Sequence, residues 1–109
     1  MKIAIIGSWG LVVEDFDAYL PPHCTEIISG GARGIDACAR AYAEKKGIIC
    51  TEILPDYRRF GRGAPLRRNK EIVALCDEVI AFWDGRSSGT AFVIAHCKKA
   101  GKPCRVILL

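Results

Sequence analysis

A chain of 109 residues, 50% hydrophobic and 26% charged, has the composition of one folded domain, expected to span residues 1–109 and too short for two. Its longest apolar runs fall well short of the roughly 20 residues a membrane-spanning helix needs, and the N-terminal MKIAIIGSWG lacks a signal-peptide cleavage pattern, so a cytoplasmic protein is expected. The net charge of +4 is unevenly placed, because Arg58, Arg59, Arg62, Arg67, Arg68 and Lys70 crowd one acid-free stretch while the rest of the chain is net acidic. Such a stretch suits a phosphate or a nucleic-acid backbone, and an ordinary solvated loop accounts for the charge equally well.

The first apolar run, Lys2 to Ile6, ends at Gly7-Ser8-Trp9-Gly10 and reads as a strand. A first helix is expected near Val13 to Leu20. A second strand, Thr25 to Ser29, leads through a glycine-rich turn into a helix from Gly34 to Lys46. That helix closes with Lys45, Lys46 and Gly47, the cationic last turn and C-terminal glycine that satisfy helix-end carbonyls. A third strand covers Ile48 to Leu54, and Pro65 suits the first turn of the third helix. The fourth strand, Glu78 to Trp83, precedes a last helix from Ser88 to Ala100, again closed by lysines and a glycine. A fifth strand runs from Arg105 to Leu109.

The strands are mostly continuous apolar runs alternating with helices, the pattern of a parallel sheet covered on both faces. The expectation is a Rossmann-like α/β fold: an open parallel sheet of about five strands, in the order 3-2-1-4-5, with helices on both faces. Ligands of such sheets bind outside the carboxyl ends of the strands at the topological switch point. The loops at Gly7–Gly10, Gly30–Asp36 and Asp84–Thr90 are therefore expected to converge there.

The turn Ser29-Gly30-Gly31-Ala32-Arg33-Gly34-Ile35-Asp36 joins a strand to a helix, so its glycines can let backbone approach a ligand while the helix N–H groups face an anion. Arg33 adds a charged donor. The turn only approximates the dinucleotide fingerprint, although Glu52 stands about where a ribose-binding acid would be, and no cofactor is expected. A second turn, Asp84-Gly85-Arg86-Ser87-Ser88-Gly89-Thr90, supplies N–H groups and hydroxyls without the lysine of a Walker A loop; Ser88 as a helix cap and Asp84 as a turn former are the plainer readings. Trp9 and Trp83 offer flat faces for a base, or for core or interface packing, and a homodimer is one expectation for them.

Six cysteines lack metal-ligand or C-x-x-C spacing and read as free thiols, five of them in segments expected to be buried. Neither His23 nor His96 is spaced for a metal, and no catalytic pair or triad can be assembled, so no metal or catalytic residue is assigned.

As an ordered set, GSW after the first strand, SGGARGIDACARAYA after the second, PLRRNKEIVALCDEVIAFWDG into the fourth and SSGTAFVIAHCKKAGKPCRVI beyond it resemble the SLOG superfamily. This Rossmann-like group includes the bacterial DNA-processing protein A and the LONELY GUY phosphoribohydrolases. PDYRRFGRGAPLRRN followed by FWDGRSSGT is most similar to its small, stand-alone, functionally uncharacterised members, proposed binders or sensors of nucleotide-derived ligands. The resemblance implies that Ser8, Gly30, Gly31, Arg33, Asp36, Arg68, Asn69, Gly85, Ser88, Gly89 and Thr90 line one nucleotide pocket; Gly7, Trp9, Gly34 and Asp84 complete the candidate set. The hydrolase branch carries P-G-G-x-G-T-x-x-E, and aligning its G-T on Gly89-Thr90 puts Val93 in place of the glutamate, which argues against that chemistry. Many relatives have arginine where Trp9 stands. Binding or sensing of a nucleotide is thus the expected function. The alternatives are a nucleoside monophosphate hydrolase and a single-stranded DNA binder acting through Arg58, Arg59, Arg62, Arg67 and Arg68.

Overall fold

A computed structural model describes residues 1–109. Its five strands are β1 (Lys2–Gly7), β2 (Glu26–Ser29), β3 (Ile49–Glu52), β4 (Glu78–Trp83) and β5 (Cys104–Leu108). They form one all-parallel sheet in the order β3-β2-β1-β4-β5. The helices are α1 (Ile35–Lys46), the single turn α2 (Tyr57–Phe60), α3 (Ala64–Leu75) and α4 (Ser88–Ala100), with a 3₁₀ turn at Gly61–Gly63. The α/β Rossmann-like architecture and strand order follow the sequence expectation. No helix is long and apolar enough to cross a membrane.

The central strands explain that agreement. In β1 and β4, Ile3 to Ile6 and Val79 to Phe82 are buried without a break, so each strand must be covered on both faces. Ala4 is paired with Ile28 on one side and Val79 on the other, which fixes the register across the middle of the sheet. On one face Ile3, Ile5, Ile27, Ile80 and Phe82 pack with Ile35, Ala39 and Tyr42 of α1. On the other, Ala4, Ile6, Ile28, Val79 and Ala81 pack with Ile72 and Val73 of α3 and Val93 and Cys97 of α4. Gly47 and Gly101, both left-handed, close α1 and α4 by donating to the carbonyls of the preceding turn.

The expected helix at Val13 to Leu20 does not form. The Asp15 carboxylate accepts from the Asp17 N–H at 2.8 Å, and the Phe16 carbonyl accepts from Tyr19 and Leu20, each at 2.9 Å. This local turn, followed by Pro21 and Pro22, displaces the helical ladder. The segment still fills the layer a helix would occupy, because Phe16 is fully buried, edge-on to both Tyr42 and Phe82 with ring centroids 5.4 Å away. A second correction concerns the thiols: all six cysteines are free, but only Cys76 and Cys97 are buried and the other four are half-buried.

Candidate functional site

The carboxyl ends of the strands open into a cleft of about 320 Å³ on the α3 and α4 side of the sheet. Gly7 and Trp9 reach it from the end of β1, Gly30, Gly31 and Asp36 from the β2–α1 turn, Arg68 and Asn69 from α3, and Gly89 and Thr90 from the start of α4. These nine sequence-selected residues therefore share one concavity at the switch point between β1 and β4.

Arg68 organises the floor. Its Nη1 donates to the carbonyls of Gly30 (2.7 Å) and Ile53 (3.2 Å), tying together the ends of β2 and β3, and its Nε donates to Asn69 Oδ1 at 2.8 Å. Glycine at position 30 permits this close approach, since a Cβ there would lie 2.5 Å from Nη1 and Arg68 would have to shift. Gly34, at φ +68°, has the Trp9 carbonyl where a Cβ would go, so α1 can begin directly against the β1 loop.

Asp36 stands in the first turn of α1 and is 8% exposed. Its Oδ2 accepts from the Ala32 N–H at 3.1 Å. Burial pushes its carboxyl above the usual carboxylate range, outweighing the Ala32 bond and the nearby Arg68 charge, which act in the opposite direction. Asp84 is the opposite case. Its Oδ1 accepts from the N–H groups of Ser87 and Arg86, each at 2.8 Å, and these bonds hold its carboxyl below the ordinary range.

Six of the selected residues do not line the cleft. Ser8 is buried and links two loops, its N–H donating to the Phe82 carbonyl at 3.0 Å and its Oγ accepting from the Asp84 N–H at 3.3 Å. Gly34, Asp84 and Gly85 shape turns, and Ser88 lies exposed at the start of α4. Arg33 is exposed, with its guanidinium 6.0 Å from the centre of the Trp9 ring rather than in the cleft. Trp83, considered as a stacking platform, is half-buried and donates its Nε1 proton to the Ser87 carbonyl at 3.0 Å. Glu52, the candidate ribose acid, is paired with Arg40 at 2.9 Å.

Of the basic stretch, Arg68 alone reaches the cleft; Arg58, Arg59, Arg62 and Arg67 are exposed beside it, with Arg59 and Arg67 packed on the Phe60 ring at 5.1 and 4.6 Å. Sequence reasoning missed the apolar wall. Leu54, Pro55 and Tyr57 follow β3, and the rule that selects the loops after β1, β2 and β4 applies to this loop as well. Ser87, Pro65, Ile6, Ala32, Ile72 and Val93 complete the lining.

The chain is 36% identical over 101 residues to the Gene 61 protein of Mycobacterium phage D29, a match covering 87% of this chain and 79% of that protein. No family model and no solved structure matches it.

Proposed function

The chain belongs to the family of the Gene 61 protein of Mycobacterium phage D29, and we propose that it binds or senses a nucleotide or nucleotide-derived ligand. The observation that carries this reading is the cleft itself: two strand-to-helix turns, an arginine, an asparagine and an apolar wall meet at the carboxyl edge of a parallel sheet. Neither α1 nor α4 has a side chain bonded over its first N–H groups in the N-cap position, which leaves donors for an anion at both turns. Trp9, Leu54 and Tyr57 remain 72%, 66% and 61% exposed at the rim, surfaces that a flat base would cover. The resemblance of the ordered motifs to the SLOG superfamily supports the same reading.

Thermal unfolding against nucleoside monophosphates, ADP-ribose and cyclic dinucleotides tests it. A ligand at about 100 times its Kd adds about 2.7 kcal/mol, on the order of 10 °C for a domain of this size. A selective shift with one compound is the expected result, and no shift with any of them overturns the proposal.

The hydrolase alternative gains nothing from the cleft, where Val93 is 2% exposed and presents an apolar side chain at the position of the hydrolase glutamate. The DNA alternative draws on one observation, the exposed Arg58, Arg59, Arg62 and Arg67 beside the cleft. It predicts oligonucleotide affinity that falls linearly on a log–log plot against salt.

A further inference from the structure

The two glycine turns flanking the cleft look equivalent in sequence, and the structure makes them different. On the β2–α1 side the buried Asp36 carboxylate lines the cleft and accepts from the Ala32 N–H of the turn at 3.1 Å, so a side-chain acceptor of the chain's own stands in the cleft beside that turn. On the α4 side Ser87, Gly89 and Thr90 line the cleft with no acid among them, since Asp84 turns its carboxylate onto the N–H groups of Arg86 and Ser87 outside it. A ligand phosphate placed beside Asp36 meets a carboxyl group that lines the cleft, whereas on the other side the hydroxyl-bearing Ser87 and Thr90 line it and the Asp84 carboxylate, bonded to the Arg86 and Ser87 N–H groups, is not part of the lining.

Strand order places these features in sequence. The apolar rim of Leu54 and Tyr57 follows β3, Asp36 follows β2, and the hydroxyl-bearing turn follows β4 on the far side of β1. A nucleotide has the same linear order: flat base, sugar, phosphate. Asp36 falls where the sugar would lie, and its carboxyl oxygens are acceptors for a group with a proton to donate.

Building on the nucleotide reading, we infer that Asp36 is the specificity-determining residue of the cleft, accepting a hydrogen bond from a ribose hydroxyl and thereby orienting the phosphate toward Ser87 and Thr90. The ligand class is then a ribonucleoside phosphate or a derivative that keeps a free ribose hydroxyl. A deoxynucleotide fits the same cleft and leaves the buried carboxylate without that partner, a penalty on the order of tenfold or more in affinity.

Calorimetry with matched ribo-, 2′-deoxy- and 3′-deoxynucleoside monophosphates, on the wild type and on Asp36→Asn, tests this. The asparagine keeps an oxygen for the Ala32 N–H. Wild type is expected to bind the ribonucleotide about tenfold more tightly than at least one deoxy analogue, and Asp36→Asn to erase that preference by weakening the ribonucleotide alone. Equal affinity of the wild type for all three sugars overturns the inference while leaving nucleotide binding intact, whether or not the variant folds. Tighter binding of every nucleotide and of inorganic phosphate by Asp36→Asn also overturns it, by showing that the carboxylate faces the anion. Failure of every nucleotide to bind the wild type removes the nucleotide reading and this inference together.

Discussion

Replacing Gly30 with alanine isolates the arginine that holds the cleft together. The added Cβ would lie 2.5 Å from Arg68 Nη1, 2.8 Å from its Cζ and 3.1 Å from Asp36 Oδ2, and Gly30 is not among the glycines with positive φ, so the cost falls on neighbours rather than on backbone strain. To make room, Arg68 must release the Gly30 and Ile53 carbonyls, which it holds at 2.7 and 3.2 Å. Hydrogen bonds from a charged donor contribute about 1.5–3 kcal/mol each; the second bond is long and half-buried, so the pair is taken near the low end, about 3 kcal/mol. A reduced unfolded-state entropy returns roughly 0.5 kcal/mol. The net loss, about 2.5 kcal/mol, lowers the unfolding midpoint by about 10–20 °C. Urea and thermal unfolding of Gly30→Ala, Arg68→Ala and the double variant are the assay. The two nearest atoms both belong to Arg68, so once it is gone the double variant should be close to Arg68→Ala alone, with a coupling of about 2 kcal/mol. Costs that add to within about 0.5 kcal/mol would refute the argument, because the clash would then lie elsewhere.

Three further outcomes are expected. Phe16→Ala should cost about 3–5 kcal/mol in denaturant unfolding, like a core aromatic in a regular helix, since Phe16 is fully buried against Tyr42 and Phe82. Burial raises the folded-state pKa of Asp36 above its unfolded value, so the stability tied to its proton is present below the ordinary carboxylate range and lost as pH rises through the folded value; Asp36→Asn should raise the unfolding midpoint at pH 7 and lose that advantage in acid, as melting across pH will show. Burial pushes the Cys97 thiol up to about 12 and raises that of Cys76, so both should resist a disulfide reagent at pH 8 and react once denaturant is added, as peptide mapping of the labelled protein will report.

Much of the fold was legible because its determinants are local. Continuous apolar runs at β1 and β4 can only be covered on both faces, and the lysine-glycine endings of α1 and α4 close helices by backbone geometry that a few neighbouring residues specify. The segment from Val13 to Leu20 misled for a related reason: its apolar positions are real and Phe16 is a core residue, but side chain-to-backbone bonding at Asp15 competes with the helix and burial does not require one. The cleft was legible in Gly7, Gly30, Gly31 and Gly89, whose positions follow from strand ends, whereas Gly34 and Gly85 shape turns outside its lining. It was not legible in Leu54, Pro55 and Tyr57, which carry no motif.

Residue chemistry along the chain thus sets the strands, the helix ends, the strand-order expectation and the set of turns that gather at one edge, because each depends on composition, period and capping within a short window. Which side chains face the cleft is a matter of three-dimensional partners. Arg68 belongs to it because the carbonyls of Gly30 and Ile53 lie within reach, and Asp36 because α1 starts beneath the turn. Trp83 and Glu52 fall outside because the Ser87 carbonyl and Arg40 hold them, and Arg33 lies exposed beside the Trp9 ring at the rim. Charge and aromaticity are properties of a residue, whereas the partner that takes them up is brought near by packing between elements distant in sequence.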